Sequence, residues 1–146
     1  MLHVPLLIKH PTLKPKKINE LVQLVDITPT LLNFLGIPKE KSFEGKNLVP
    51  LIMKNKSINN YVLAGSTFTP SHNNSLFNTP SIVRAVRTKD FKLINEKMFS
   101  ENFTVSVDSY EFYDIRNDPK ELHNIYLTAD ASLLSRLVER LPKVDR

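Results

Sequence analysis

Histidine and cysteine are the residues through which a chain of this kind could bind a metal or carry a nucleophile. Its four histidines lie far apart in sequence, and none has a carboxylate or a second histidine at metal-ligand spacing: His3, His10, His72 and His123. The chain contains no cysteine, which excludes thiol catalysis and cysteine-ligated zinc. The sequence therefore predicts no metal site and no thiol nucleophile.

Two carboxylates near the end of the chain could be mistaken for an acid pair. Asp114 and Asp118 flank the segment Asn117-Asp118-Pro119, which is typical of a turn and a helix cap. We interpret them as capping groups rather than general acids. With three glycines in the whole chain, a glycine-rich phosphate loop is also excluded.

Length and composition describe an ordinary globular chain. It has 146 residues, of which 41% are hydrophobic and 24% charged. These values exclude intrinsic disorder, collagen-like repeats and a disulfide-stapled miniprotein. No apolar run approaches the roughly 18–20 residues of a membrane span, and the first run, residues 4–8, is too short for a signal peptide.

The net charge is +5, from 20 lysines and arginines against 15 acidic residues. A basic balance can indicate nucleic-acid binding, but the tight cluster of Lys14, Lys16 and Lys17 has no aromatic residues interleaved for base stacking. We interpret this cluster as a solvated loop, and we expect no nucleic-acid partner.

The first third of the chain shows one clear helix. Asp26 or Thr28 is a cap candidate, Pro29 follows near the first turn, and Gly36 stands just past the last apolar residue. Before it, the continuous apolar run at residues 4–8 predicts a buried strand. The polar residues 54–60 predict a boundary between two subdomains.

After this boundary the pattern becomes extended. Four strand candidates follow, at residues 61–64, 82–87, 91–95 and 110–114, with a hairpin turn at 88–90. Residues 103–107 alternate and predict an extra edge strand. Asp118 and Pro119 predict a helix start, and an apolar stripe predicts a last helix from about residue 130 to residue 141.

Five segments resemble the C-terminal part of the formylglycine-dependent sulfatases, in the family's order. They are VPLLIK (4–9), LVDITPTLLNFLGIP (24–38), FEGKNLVPL (43–51), RAVRTKDFKLI (84–94) and EFYDIRNDPKE (111–121). The resemblance covers most of the chain. It implies a member of the sulfatase family, within the alkaline-phosphatase-like superfamily.

This resemblance implies an α+β fold that is a remnant of an α/β protein. Residues 1–56 would be the last strand and helix of the sulfatase α/β domain. Residues 57–146 would be the C-terminal subdomain, a small antiparallel four-stranded sheet with a packed C-terminal helix. The extended segments and the last apolar stripe agree with this.

The resemblance also implies what is missing. In sulfatases the formylglycine nucleophile, the ligands of a divalent cation (usually calcium) and the active-site lysine come before the strand that residues 4–8 resemble. We therefore expect no catalytic residue and no cofactor in this chain, and no sulfuric ester hydrolysis by the chain alone. Its partner would be the N-terminal catalytic portion, and the complete enzyme would act on a sulfated small molecule or carbohydrate.

Three side chains are candidates for substrate binding, because the family's C-terminal subdomain leans over the active-site cleft. They are His72 on the loop 66–80, and Arg84 and Arg87 on the strand that follows; a guanidinium suits an anionic sulfate group. The alternative is that the arginines pair with Asp90, Asp114 or other acids, and that His72 is an ordinary surface residue.

Other readings stay open from the sequence. The chain could instead come from a phosphoglycerol or phosphoethanolamine transferase of the same superfamily, or be a non-catalytic binding module that kept a sulfatase-like surface. Because residues 4–8 and the helix face at 31–35 would lack neighbours, we expect dimerisation, strand swapping or poor order within residues 1–50. The family is often exported, periplasmic or lysosomal, and the chain itself carries no signal for a compartment.

Overall fold

Helices occupy the first part of the chain and a β-sheet the second. The computed structural model describes residues 4–68, 80–100, 102 and 104–143. It divides into two compact units, Met1–Val62 (unit 1) and Leu63–Arg146 (unit 2). Assignment of residues 1–56 and 57–146 to two parts of a sulfatase stays a prediction.

Unit 1 contains two short helices. A single 3-10 turn, Leu24–Asp26, leads into α1, Ile27–Phe34. Gly36 ends this helix in the left-handed region (φ 70°), where glycine has no steric penalty, and the Ile37 amide donates to the Leu32 carbonyl at 2.9 Å. The predicted helix and its glycine stop are confirmed.

The second helix, α2, spans Val49–Lys54 and has a proline within its first two positions. A proline is tolerated there because the first amides of a helix have no intrahelical acceptor. Asn55 ends the helix in the left-handed region, at φ 54°. The proline-interrupted apolar segment of the sequence is thus helical.

The prediction of a buried strand at residues 4–8 is wrong for this chain taken alone. The described residues of unit 1 give this segment no strand partner, and Val4 and Leu7 are 66% and 93% exposed. A strand needs a second extended segment to supply its hydrogen bonds, however apolar its sequence is.

Unit 2 is built on an antiparallel sheet with the strand order β1-β2-β3-β4. The strands are Val62–Phe68, Ser81–Arg87, Phe91–Phe99 and Val105–Asp114. The predicted hairpin at residues 88–90 is confirmed, with the Thr88 amide donating to the Phe91 carbonyl at 2.8 Å. The α+β fold with a four-stranded antiparallel sheet is therefore present.

Two details of unit 2 differ from expectation. Val105 and Val107 are not in a separate edge strand but begin β4, because β3 continues to Phe99 and supplies partners for them. The helix expected at Asp118 is absent: residues 119–120 form a turn, and Glu121 lies at φ 57°, which interrupts helical geometry.

The last helix, α3, spans Ala131–Val138, within the predicted range. The Asp130 side chain caps it by accepting the Leu133 amide at 2.7 Å. The helix packs its apolar stripe on one face of the sheet, forming a core of Val86, Leu93, Phe112, Leu137 and Leu141. No helix among the described residues is long and apolar enough to cross a membrane.

Candidate functional site

Of the three predicted substrate-binding residues, the structure places two. His72 lies outside the described residues. Arg84 lies in the middle of β2, and Arg87 is the last residue of that strand. Since they are three positions apart on a strand, they belong to opposite faces of the sheet. The two arginines therefore do not form one anion-binding fork.

Arg84 lies on the face that α3 covers, and its guanidinium is extensively hydrogen-bonded. Its Nη2 and Nε donate to Asn95 Oδ1 at 2.6 and 3.2 Å, and its Nη1 donates to the Pro142 carbonyl at 3.1 Å. These bonds join the sheet to the chain that follows α3.

Asn95 extends this network across the sheet. It is fully buried, and its amide donates to Asp108 Oδ1 at 2.6 Å and to the Ser109 carbonyl at 3.1 Å. Asp108 also pairs with Lys97 at 3.2 Å. The cluster satisfies polar groups that would otherwise be costly to bury. The prediction that Arg84 binds substrate stays untested, and its present contacts are structural.

Arg87 lies opposite Lys92 in the β2–β3 register, on the face away from α3. Lys92 is one of the most buried charges in the described chain, with a side chain 7% exposed. It pairs with Glu121, whose side chain is 14% exposed, at 2.5 Å. A buried pair of this kind holds two charges that would be strongly destabilising if separated.

Glu121 is held in an unusual conformation. Its φ of 57° is rare for a residue that is not glycine, and such strain persists only where surrounding contacts enforce it. One carboxylate oxygen bonds Lys92, whereas the other, Oε1, is buried with no hydrogen-bond partner among the described residues. The ion pair to Lys92 fixes the turn that replaces the expected helix.

Tyr113 is the Cα partner of Lys92 on β4. Its hydroxyl donates to Glu111 Oε2 at 2.8 Å, and this bond, with burial and the nearby negative charges of Glu111, Glu121 and Asp118, raises the pKa of the phenol to about 12. Tyr113 therefore stays protonated at neutral pH and acts as a hydrogen-bond donor, not as a base.

Asp114 and Asp118 organise the turn after β4, as the sequence predicted. The side chain and amide of Asn117 donate to Asp114, and the His123 amide donates to Asp118 at 2.8 Å. These hydrogen bonds hold the pKa of both carboxyls below the ordinary value. Both are ionised at neutral pH, which confirms their capping role and makes them unsuitable as general acids.

Unit 1 contains a second polar centre, at Asp26. This carboxylate is 1% exposed and accepts three hydrogen bonds: Oδ1 from the Lys46 amide at 2.8 Å, and Oδ2 from the Gln23 amide at 3.0 Å and the Asn59 side chain at 2.8 Å. The sequence predicted only a helix cap here. The carboxylate instead joins three segments that are up to 33 residues apart.

Gly45 lies beside this centre. A Cβ atom at Gly45 would be 1.8 Å from the Val25 carbonyl oxygen, so only glycine allows the two backbones to approach this closely. Thr30 completes the centre, since its hydroxyl donates to the Asp26 carbonyl at 2.6 Å and accepts the Leu48 amide at 2.9 Å.

Catalytic machinery is not evident in the described part of the chain. Within those residues, no group of three or more histidine, cysteine, aspartate or glutamate side chains is arranged to hold a metal ion. The residues present therefore do not fit the divalent cation that the resemblance implies, and we derive no reaction step through one.

Sequence reasoning missed three residues of these clusters: Lys92, Asn95 and Glu121. A signal was present for Lys92 and Asn95, because a lysine and an asparagine interrupt a strand whose neighbours are apolar, and polar groups in such a strand need buried partners. No local signal marks Glu121, since an acid after Asp118-Pro119 suits the first turn of a helix equally well.

Comparison with known proteins identifies relatives over the whole chain. The family described as N-sulphoglucosamine sulphohydrolase, C-terminal, matches residues 1–146. The chain is 26% identical to the N-acetylglucosamine-6-O-sulfatase of Bacteroides thetaiotaomicron, over 87% of this chain and 22% of the relative. It is 30% identical to arylsulfatase K of Gallus gallus, over 97% of this chain and 26% of the relative.

A solved structure has the same fold. It is that of BT4656 in complex with its substrate D-glucosamine-2-N,6-O-disulfate, with a TM-score of 0.55 and 26% sequence identity. The match covers 79% of this chain and 22% of that one. The chain thus spans about a quarter or less of the length of these relatives.

Proposed function

Because the chain belongs to the family of N-sulphoglucosamine sulphohydrolase C-terminal domains, we propose that it acts as the C-terminal portion of a sulfatase. It completes the fold of an enzyme whose nucleophile and cation ligands lie in another segment. The match over residues 1–146 carries this proposal. The antiparallel sheet with its packed helix, found also in the BT4656 structure, supports it.

The proposal includes that this chain alone does not hydrolyse sulfate esters. Sulfate transfer needs an activated nucleophile and positive charge at the departing oxygens. The described titratable groups of unit 2 do not provide a general acid near neutral pH: Asp114 and Asp118 are ionised. Tyr113, with a pKa of about 12, is a weak acid with its proton already donated to Glu111.

We extend the proposal to the substrate class. Two of the similar proteins carry names that specify a sulfated amino sugar: N-acetylglucosamine-6-O-sulfatase, and BT4656 with D-glucosamine-2-N,6-O-disulfate. A sulfated amino sugar is therefore the substrate class for the complete protein. Its anionic group would be bound by side chains such as Arg87 or His72, which the sequence singled out.

Between the two arginines, the contacts favour Arg87 for substrate recognition. Arg84 is bonded to Asn95 and to the Pro142 carbonyl, and would have to give up those bonds to reach a ligand. Arg87 lies at a strand end next to the turn at 88–90, where a side chain can project beyond the sheet. We therefore assign Arg84 a positioning role.

The test of the proposed function is a chimera. Residues 1–146 replace the matched segment of the Bacteroides thetaiotaomicron sulfatase, and sulfate release from D-glucosamine-2-N,6-O-disulfate is measured for the chimera and for the isolated chain. We expect release by the chimera only. A folded but inactive chimera would overturn the proposal, and hydrolysis by the isolated chain would overturn its non-catalytic part. Sugar binding by the isolated chain, with an inactive chimera, would favour a binding module.

The arginine assignment has its own measurement in the same chimera. Arg87→Lys should raise KM about tenfold with little change in kcat, because a bidentate contact worth about 1.4 kcal/mol is lost. Arg84→Lys should lower the unfolding temperature instead. Arg116→Lys is the matched control, since Arg116 is 70% exposed and pairs with Asp90. An unchanged KM in Arg87→Lys would exclude the recognition role.

A further inference from the structure

Unit 1 exposes an apolar surface that is unusually large for so short a segment. Leu7, Leu24 and Leu35 are 93%, 75% and 71% exposed, and Leu31 is half exposed. Leu31 and Leu35 are one helical turn apart, so they share one face of α1. Clustered exposed leucines of this kind mark an interaction surface rather than ordinary surface residues.

The segment at residues 4–8 belongs to the same surface. The ring of His10 stacks on that of Phe34 at 4.6 Å, which places the end of this segment against α1 beside Leu35. Residues 4–8 read as a continuous apolar run, the pattern of a strand covered on both faces. We call residues 4–8 with Leu31 and Leu35 the apolar docking surface.

The charge around this surface is one-sided. Residues 1–62 contain nine lysines against four acidic residues, whereas residues 63–146 contain eleven basic and eleven acidic residues. The net charge of the chain therefore resides in unit 1. Lys16, Lys39 and Lys46 donate to neutral oxygens, namely Asn55 Oδ1 and the Gly45 and Ile58 carbonyls.

This charge argues against a second copy as the occupant. Two copies of unit 1 would bring like charges together around a desolvated patch, which is unfavourable. A complementary occupant would be apolar at its centre and acidic at its rim, and would offer a strand edge to residues 4–8. The similar sulfatases supply a candidate, because about three quarters or more of their length lies outside the matched region.

We propose that the apolar docking surface of unit 1 binds the catalytic portion of the sulfatase, adding residues 4–8 as a strand to its sheet. This inference rests on the proposed function. It goes further by naming the surface, the mode of binding and the acidic rim of the partner. Leu7, Leu31 and Leu35 become buried on docking, and the lysines of unit 1 meet acidic residues around them.

The experiment compares the same substitutions in two settings, the isolated chain and the chimera described above. Leu7→Glu and Leu35→Glu should leave the thermal unfolding of the isolated chain within 1–2 °C, because both residues are exposed there. In the chimera each should lower the unfolding temperature by about 5 °C or more, since a carboxylate is then buried. Leu127→Glu, at a 94% exposed position in unit 2, is the matched control and should be neutral in both.

Amide hydrogen exchange gives a second readout. The amides of residues 4–8 should exchange rapidly in the isolated chain and become protected at least 100-fold in the chimera, because strand pairing supplies their acceptors. Equal exchange in both, a chimera that does not fold, or neutral Leu7→Glu and Leu35→Glu in the chimera would each overturn the docking proposal.

Two further outcomes assign the surface to another occupant and so overturn the proposal. One is a dimer of the isolated chain in light scattering that Leu35→Glu dissociates. The other is binding of the isolated chain to phosphatidylserine vesicles that Leu7→Glu abolishes. Neither readout involves sulfate release. A stable chimera with protected residues 4–8 but no activity therefore sinks the proposed function alone and leaves the docking surface standing.

Discussion

The two units of this protein bury different kinds of residue. Unit 2 has an apolar core in which Val86, Leu93 and Phe112 of the sheet meet Leu137 and Leu141. In unit 1 the most buried groups include the polar side chains of Asp26, Thr30 and Asn59, while Leu7, Leu24 and Leu35 are exposed.

The contrast teaches that a short segment can be ordered by hydrogen bonds and still lack a hydrophobic core of its own. Unit 2 gains free energy from apolar area removed from water. Unit 1 gains it chiefly from satisfying one buried carboxylate with donors from distant segments, and it leaves apolar area for another surface. Unit 1 should therefore be sensitive to small polar and backbone changes that unit 2 would tolerate.

The largest expected effect is at the close backbone approach in unit 1. Gly45→Ala should destabilise the protein by about 3 kcal/mol or more, because its Cβ would be 1.8 Å from the Val25 carbonyl oxygen. In Gly65→Ala, the control in β1, the new Cβ meets its nearest atom at 3.6 Å. That substitution should be neutral or stabilising by up to about 1 kcal/mol. Urea unfolding of both variants measures the difference, and equal losses would contradict the contrast.

A smaller effect is expected from removing the charge at the centre of unit 1. Asp26→Asn should cost about 2–3 kcal/mol, because both carboxylate oxygens accept hydrogen bonds and an amide nitrogen would face a donor. Asp130→Asn in unit 2 is the matched change. It should alter stability by less than about 0.5 kcal/mol, since asparagine caps a helix as well as aspartate.

Urea unfolding, together with exchange of the Lys46 amide, reports on this pair. The Lys46 amide should exchange faster in Asp26→Asn, because its acceptor Oδ1 is lost or reoriented. If Asp130→Asn cost more than Asp26→Asn, the hydrogen-bonded centre would not be the main support of unit 1.

The smallest effect is expected from acid at the surface turn of unit 2. The pKa values of Asp114 and Asp118 are lowered in the folded protein, so their contribution to stability is complete above the ordinary value of 3.8. It is lost as the pH falls through the lowered pKa values. Carboxyl NMR titration should show both depressed. Asn117→Ala should raise the pKa of Asp114 towards 3.8 and leave that of Asp118 unchanged.

An unchanged Asp114 titration in Asn117→Ala would mean that this side-chain hydrogen bond is not the main cause. The effect on global stability should stay small because both carboxyls are at the surface of unit 2, away from the core formed by Phe112 and Leu93. Acid should therefore loosen this turn before it affects the sheet.

Local features of the fold could be predicted because their causes are local. The stop of α1 at Gly36, the cap of α3 at Asp130 and the hairpin at residues 88–90 each depend on a few neighbouring residues. The paired roles of Asp114 and Asp118 in a turn could be predicted for the same reason. The candidate site was less accessible, since Arg84 and Arg87 were recognised by type while their partners were not.

The sequence by itself determined the family, the strand-rich second half, the apolar last helix and the turn chemistry, all of which follow from residue type and short spacing. Only the tertiary structure decided that Asp26 binds Asn59, that Lys92 holds Glu121 in a left-handed turn, and that Arg84 serves Asn95. It also decided that residues 4–8 remain unpaired. The physical reason is common to these cases: a buried charge or an extended backbone is stabilised only by partners distant in the chain, and no local pattern specifies which partner will be there.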